Sequence, residues 1–401
     1  MILKDKTIVL GVTGSIAAYK AADIASKLTQ SGAKVYTVMT KSAQEFITPF
    51  TFHALTGQPV ITEMFDPQSQ YNVQHVALAD LADAILIAPA TAQIMATLVA
   101  GMADDMICLT VLASKAPVII APAMDAQMWE NPVTQGNAIK LRARGFTFVG
   151  PGKGYLASGK EGVGRLEDTD KILGALRLVL GRRGNLAGRK IVVTAGGTQE
   201  PIDPVRVITN RSSGKMGYAL AEAARDRGAE VVLVTAPTAL SEPVGIRTIP
   251  VNTASDMKQA VDKAVVGANA LIMAAAVADY RVTSPAQNKI KKESSGRLTL
   301  ELEKTPDILG QVQGNFIRVG FAAESEGLVK NAILKLQSKN LDLIVANDIT
   351  EKDSGFGTDT NRVVIIDKQV KVEEIPLLTK HEVAEKILDK VVTLLTKSPS
   401  L

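Results

Sequence analysis

One cysteine and three histidines stand among 401 residues. A single thiol excludes an internal disulfide framework and any multi-cysteine metal site. Three imidazoles leave little from which to build a histidine-rich metal centre. Neither sign of charge dominates: 45 basic groups face 41 acidic ones, a formal net charge of +4. That excess is too small to argue for nucleic acid as a partner, although small anionic ligands are compatible with it. No apolar run is long enough to span a bilayer. The opening MILKDKTIVLGVTG enters a strand directly, without the apolar segment and cleavage site of a signal peptide. The expectation is a cytoplasmic chain that handles small molecules and has no nucleic-acid or membrane partner.

The rest of the composition is that of a globular protein, 46% hydrophobic and 21% charged. The length predicts two or three domains, each able to bury a core. Apolar strand patterns alternate with helical ones. Strands are expected over Thr7–Val12, Lys34–Met39, Ala84–Ala88 and Val118–Ala121. A second series runs over Lys190–Thr194, Glu230–Thr235, Ala270–Ala276, Arg318–Ala322 and Leu341–Ala346. A hairpin is expected from Val363–Ile366 and Val370–Glu374. The fold class that follows is α/β, with two doubly wound, Rossmann-like parallel sheets in tandem. The Gly/Arg-rich stretch 181–189 lacks apolar periodicity and reads as a linker between domains 1–180 and 190–401.

The densest chemistry lies in TAGGTQEPIDPVRVITNRSSGKMG, Thr194–Gly217, between a strand and an Ala-rich helix. Gly196-Gly197 permits a close backbone approach. Ser212-Ser213-Gly214-Lys215 stands where backbone N–H groups and a positive helix end meet an anion. Arg206 offers a planar fork suited to a carboxylate or phosphate. Further on, Asp279 ends a strand and the basic run Asn288-Lys289-Ile290-Lys291-Lys292 follows it. Such a run is commonly a solvated face, and it also suits a triphosphate with its divalent ion. Lys335 and Lys339, four residues apart, share one helix face.

In the first half, Gly11-Val12-Thr13-Gly14-Ser15 follows the opening strand but is not GxGxxG, so the dinucleotide fingerprint is absent. The turn fits a flavin phosphate at a helix N-terminus and fits a plain tight turn equally well. Two strands end alike, in Ala88-Pro89-Ala90-Thr91 and Ala121-Pro122-Ala123-Met124, where parallel sheets place ligands. Cys108 sits in the apolar Ile107-Cys108-Leu109 and reads as core. His75, an isolated imidazole after a polar loop, could be structural or a neutral-pH base.

Together with His75, two stretches carry a resemblance. They are Pro122-Ala123-Met124-Asp125-Ala126-Gln127-Met128-Trp129 and Gly154–Leu166, with Leu156-Ala157-Ser158-Gly159 at its centre. They resemble the PAMNxxMW motif and the ACGxxGxGR flap of the flavin-dependent cysteine decarboxylases. The second half resembles the phosphopantothenate–cysteine ligases, so the whole chain is similar to the bifunctional coenzyme A biosynthesis proteins of bacteria. Two positions depart from that pattern: Asp125 stands for the family asparagine and Ser158 for the flap cysteine.

The resemblance implies FMN held by Gly14, Ser15 and Thr91, with His75 as the base and Met128 at the substrate. It implies CTP bound by Ala275, Asp279, Lys289, Pro306, Asp307, Ile308, Leu309, Phe321, Lys335 and Lys339, with Mg²⁺ near Asp279. Asn210 falls to the acyl intermediate and Arg206 to the substrate. The implied reactions are CTP-dependent ligation of 4′-phosphopantothenate to cysteine, then FMN-dependent decarboxylation to 4′-phosphopantetheine. The alternative is a ligase whose first domain is a flavin-binding assembly module. The implied assembly is a homo-oligomer, a dodecamer in which first domains trimerise and second domains dimerise. Asp125 is expected to carry the final proton if enclosure raises its pKa; an ordered water is the other source.

Overall fold

The computed structural model describes residues 2–64, 73–291, 298–324, 326–348, 355 and 357–397. The chain divides into two units, Met1–Leu180 and Gly181–Leu401.

The first unit begins with β1 (Thr7–Val12), α1 (Ala18–Gln30) and β2 (Lys34–Met39). Helix α1 buries Ala18, Ala21, Ile24, Ala25 and Leu28, a single stripe at helical spacing. There follow α2 (Pro49–Thr56), α3 (Gln74–Leu81), β3 (Ala84–Ala90), α4 (Ala92–Ala100), α5 (Met106–Ala113) and β4 (Val118–Pro122). The unit ends with α6 (Ala126–Glu130), α7 (Pro132–Ala143), β5 (Thr147–Phe148), β6 (Gly152–Tyr155), β7 (Glu161–Arg165) and α8 (Thr169–Gly181). The five-stranded sheet has the order β2-β1-β3-β4-β5, parallel throughout. Every residue of β3 is buried, as helices on both faces of a parallel sheet require. Cys108 is fully buried on α5 within this core, as its apolar neighbours predicted. Strands β6 and β7 form a separate antiparallel hairpin.

The second unit contains β8 (Lys190–Ala195), β9 (Gln199–Pro201), β10 (Val207–Thr209), α9 (Lys215–Asp226), β11 (Glu230–Thr235), β12 (Arg247–Pro250), α10 (Ala254–Ala264) and β13 (Ala270–Met273). It continues with β14 (Tyr280–Val282), β15 (Leu302–Lys304), α11 (Ile308–Gln311), β16 (Ile317–Glu324), α12 (Leu328–Ser338), β17 (Leu343–Asp348), β18 (Thr360–Asp367), β19 (Val372–Thr379) and α13 (Lys380–Lys397). The main sheet runs β12-β11-β8-β13-β16-β17-β18-β19. Its first six strands are parallel, and β18 and β19 close it as an antiparallel pair. In chain order the parallel part is 3-2-1-4-5-6, whereas the first unit is 2-1-3-4-5. Both are doubly wound, with the order reversing between β1 and β3 and between β8 and β13.

Three expectations change. The long loop Thr194–Gly217 contains a hairpin, β9 with β10. The closing hairpin β18–β19 reaches further at its open end than its apolar runs suggested, from Thr360 and to Thr379, while β19 starts at Val372 and not at Val370. The stretch read as a linker is seated on the second unit: Leu186 is fully buried and its N–H donates to the Arg227 carbonyl at 2.9 Å. A Cβ on Gly181 would lie 2.3 Å from the Asp226 oxygen, so only glycine fits that approach.

Candidate active sites

In the second unit the two strands at the reversal point are joined by hydrogen bonds just past their ends. Ala276 N–H donates to Gly196 O at 2.9 Å, and Ala275 N–H to the Thr194 hydroxyl at 3.1 Å. Hairpin β9–β10 then folds back so that Asn210 passes over Gly197. A Cβ there would meet the Asn210 oxygen at 2.8 Å. This approach lets the Asn210 Nδ2 donate to the carbonyls of Ala276 (3.3 Å) and Val277 (3.1 Å). Helix α9 starts at Lys215 and lies directly on β8; a Cβ on Gly217 would sit 2.7 Å from Thr194 O.

The result is a cavity of about 1070 Å³. Its lining includes Asn210, Ser212–Gly217, Ala275, Asp279, Pro306–Leu309, Phe321, Lys335 and Lys339. Lys335 donates to Phe321 O at 2.9 Å, and Lys339 pairs with Asp307 at 2.9 Å. Burial, then the neighbouring Lys339 charge, lowers the pKa of Lys335. Burial opposes the charge on Asp307, but Lys339 and the Gly310 N–H outweigh it and hold that carboxyl below the usual range. The cavity is therefore rich in cations and has few carboxylates.

In the first unit the reversal point lies between the ends of β1 and β3. The buried Thr13 hydroxyl donates to Pro89 O at 2.7 Å and accepts the Thr91 N–H at 3.1 Å. The ends of β1 and β3, and with them Gly14-Ser15 and Thr91, are therefore held side by side. Gly14 is pressed against Ser42, where a Cβ would lie 2.4 Å from the Ser42 Cβ. The β6–β7 hairpin rests on the turn between β4 and α6, with Met124 N–H donating to Gly164 O at 2.9 Å. At its tip Ser158 Oγ donates to Asp125 Oδ2 at 2.8 Å. His75 is half-buried near the start of α3, and Met128 is half-exposed on α6.

The Flavoprotein family model matches residues 2–180, and the model of the DNA/pantothenate metabolism flavoprotein C-terminal domain matches residues 186–395. The coenzyme A biosynthesis bifunctional protein CoaBC of Bacillus subtilis (strain 168) is 44% identical over 398 residues, 98% of each chain. Its counterpart in Escherichia coli (strain K12) is 41% identical over 399 residues, again 98% of each. The chain belongs to the bifunctional coenzyme A biosynthesis family of enzymes. Among solved structures, the C-terminal domain of a CoaBC protein aligns at 42% identity, over 53% of this chain and 99% of that one, with a TM-score of 0.46. A cysteine-to-serine variant of PPC decarboxylase, complexed with pantothenoylaminoethenethiol, aligns at 28% identity. It covers 44% of this chain and 98% of that one, with a TM-score of 0.39.

Set against the residues expected of this family, the second cavity gathers Asn210, Ala275, Asp279, Pro306, Asp307, Ile308, Leu309, Phe321, Lys335 and Lys339. It does not gather Arg206 or Lys289. Arg206 is not a free fork: it pairs with buried Asp203 at 2.8 Å. Burial opposes the charge on Asp203, yet the Val205, Ile290 and Arg206 N–H groups, with the Arg206 charge, lower its pKa. Because Ile290 N–H also donates to Asp203 (3.1 Å), this carboxylate ties the Ile290 segment to the Asp203–Arg206 turn. Lys289 is exposed on that segment, and Lys292 lies outside the described residues. The expectation for Asp125 also reverses. The Ser158 hydroxyl first, then the Gln127 N–H, lower its pKa. Burial acts in the opposite direction and is outweighed by these two donors.

The sequence did not single out Lys380 or Asn361 as cavity residues. Lys380 is buried and donates to Gly355 O (3.0 Å) and Thr358 O (2.5 Å). Burial and Lys215 lower its pKa. Only a lysine opening a helix straight after a strand marked it, and that signal is common. Among the described residues no cluster of three His, Cys, Asp or Glu could hold a metal by itself.

Proposed function

We propose that the second unit joins 4′-phosphopantothenate to cysteine at the expense of CTP, through an acyl-cytidylate. The first unit then decarboxylates the product to 4′-phosphopantetheine with bound FMN. The observation that carries this reading is the cation-rich cavity at the second reversal point, in a chain whose two units both align with bifunctional relatives.

In the second unit Lys335 and Lys339 neutralise the triphosphate, with Asp307 fixing Lys339. Asp279 suits Mg²⁺, a hard ion that binds one or two carboxylates together with substrate phosphates. Asn210 keeps its Nδ2 beside the strand ends and can turn it toward a developing oxyanion. The α9 N-terminus and Lys215 add donors for an anion.

In the first unit Gly14, Ser15 and Thr91 stand together at the strand ends, the place in a doubly wound sheet that suits a flavin phosphate. FMN, when bound, supplies the two-electron chemistry that makes loss of carbon dioxide feasible. His75 is the candidate base and Met128 the apolar wall beside the substrate. Exposed Ile16, Tyr19 and Phe50 on this unit, and Val205, Val207 and Tyr280 on the other, offer apolar surface for a trimer–dimer homo-oligomer.

One observation bears on the last step of the decarboxylation: the Ser158 hydroxyl already donates to Asp125 Oδ2, so the closing proton is expected from another donor. Purified protein should absorb near roughly 450 nm if FMN is bound. With phosphopantothenate, cysteine, CTP and Mg²⁺ it should give phosphopantetheine by mass. Phosphopantothenoylcysteine alone would leave only the ligase; neither product would refute the proposal.

A further inference from the structure

The two positions at which this chain departs from the flap and PAMNxxMW patterns touch each other. Ser158 and Asp125 are 33 residues apart and share a 2.8 Å hydrogen bond. The backbone beneath them is fitted for that contact. Gly162 and Gly164 of β7 lie where a Cβ would meet Ala126 Cβ at 2.7 Å and Met124 O at 2.2 Å. With no side chain there, the hairpin seats flush on residues 124–126, and Met124 N–H bonds to it. The tip turn is closed by Leu156 N–H to Lys160 O at 2.9 Å, which leaves Ser158 at its apex. The second Asp125 oxygen accepts the Gln127 N–H at 3.0 Å, so the carboxylate is fixed at the start of α6.

A serine hydroxyl has one hydrogen and two lone pairs, and an ionised carboxylate only accepts. The Ser158 hydrogen is therefore committed to Asp125, and the outward face of the pair is all acceptor. We propose that Ser158 and Asp125 act as one unit: a latch that holds the flap tip on the β4–α6 turn and offers a bound ligand acceptors but no proton. Both are then positioning residues for a ligand donor such as a thiol or amide N–H. The proton that a reductive step consumes comes from water. The latch rests on geometry alone, and the ligand on the decarboxylase reading above.

The test is a double-mutant cycle on the full chain with FMN added: Asp125→Ala, Ser158→Ala, the double variant and Ser158→Thr. Hydrogen exchange of the amides in 156–162 reads the flap. Each alanine variant should speed exchange about tenfold, the double should exceed neither by more than about twofold, and threonine should retain protection. Effects that multiply to about a hundredfold in the double, or no effect in either single, would overturn the latch. Steady-state kinetics with phosphopantothenoylcysteine read the second part. KM should rise more than kcat falls. A fall in kcat with KM unchanged would mean that one of the pair transfers the proton itself. Absence of carbon dioxide release from the wild type would refute the decarboxylase reading and leave the exchange result standing.

Discussion

Lys335→Met separates stability from function in the second unit. The lysine ammonium is largely out of water, one helical turn from Lys339, and its pKa is lowered, so the folded state resists its charge. Methionine keeps the length and the packing and removes that charge. The cost is the hydrogen bond from the ammonium to Phe321 O, about 1.5–3 kcal/mol. Relief of burial offsets it, so the ligand-free melting temperature should hold or rise. A net gain of about 1 kcal/mol corresponds to roughly 2–4 °C for a unit of this size.

Binding should move the other way. A hydrogen bond from an ammonium to phosphate is worth about 1.5–3 kcal/mol, or roughly 10- to 150-fold in kcat/KM for CTP. At a CTP concentration about 100 times its Kd, the wild type gains about 2.7 kcal/mol of stability. A hundredfold weaker variant at the same concentration gains only about 0.4 kcal/mol. Differential scanning calorimetry with and without Mg–CTP reads both quantities. The pH dependence has a fixed sign. The lysine's folded pKa lies below its ordinary value of about 10.4, so its stability cost is present below the folded pKa. Wild-type stability relative to the variant should therefore recover as pH rises between the two values. CTP affinity should fall over the same window. A ligand-free melting temperature lowered by more than about 4 °C, with CTP kinetics within twofold of wild type, would refute the reasoning.

Asn210→Ala should lower ligase turnover by about tenfold or more while CTP binding, measured by calorimetry, changes less; equal losses in both would place Asn210 at the nucleotide. Lys289→Gln should lower ligase turnover at least tenfold, about 1.4 kcal/mol, and unchanged turnover and CTP affinity would confine the nucleotide to the residues already lining the cavity. Burial pushes the Cys108 thiol pKa far up, so the native protein should resist alkylation at pH 8 and take up one label only when unfolded. Gly217→Ala forces a methyl to within 2.6 Å of Ala195 Cβ and should cost about 1–3 kcal/mol, read as a lower melting temperature of the second unit.

The sequence carried the fold because each parallel strand is a short apolar run and each covering helix shows one buried stripe. Those signals are local, and they located most strands to within a few residues. Strands β5, β9, β10, β14 and β15 escaped because two or three residues carry no period to detect, and the four- and five-residue β6, β7 and β12 escaped with them. The cavity at the second reversal point was legible where a residue's place follows from its element. Lys335 and Lys339 share a helix face, Asp279 follows a strand end, and all three line the one cavity.

The errors have a common cause: a charged residue's type shows what it can bind, and its neighbours decide whether it is free to do so. Arg206 looked available for an anion until the fold placed Asp203 against it with both carboxylate oxygens engaged. Asp125 looked able to hold a proton, but Ser158 donates to it and lowers its pKa. Lys380 looked like an ordinary helix start until two carbonyls from residues 355 and 358 surrounded its ammonium. Each partner lies on a loop or turn whose path only tertiary structure fixes. Arg206 and Asp203 are three residues apart, yet their pair matters because Ile290, more than eighty positions on, joins it. Spacing alone could not show that join, which gives Arg206 a structural tie besides the substrate role expected of it.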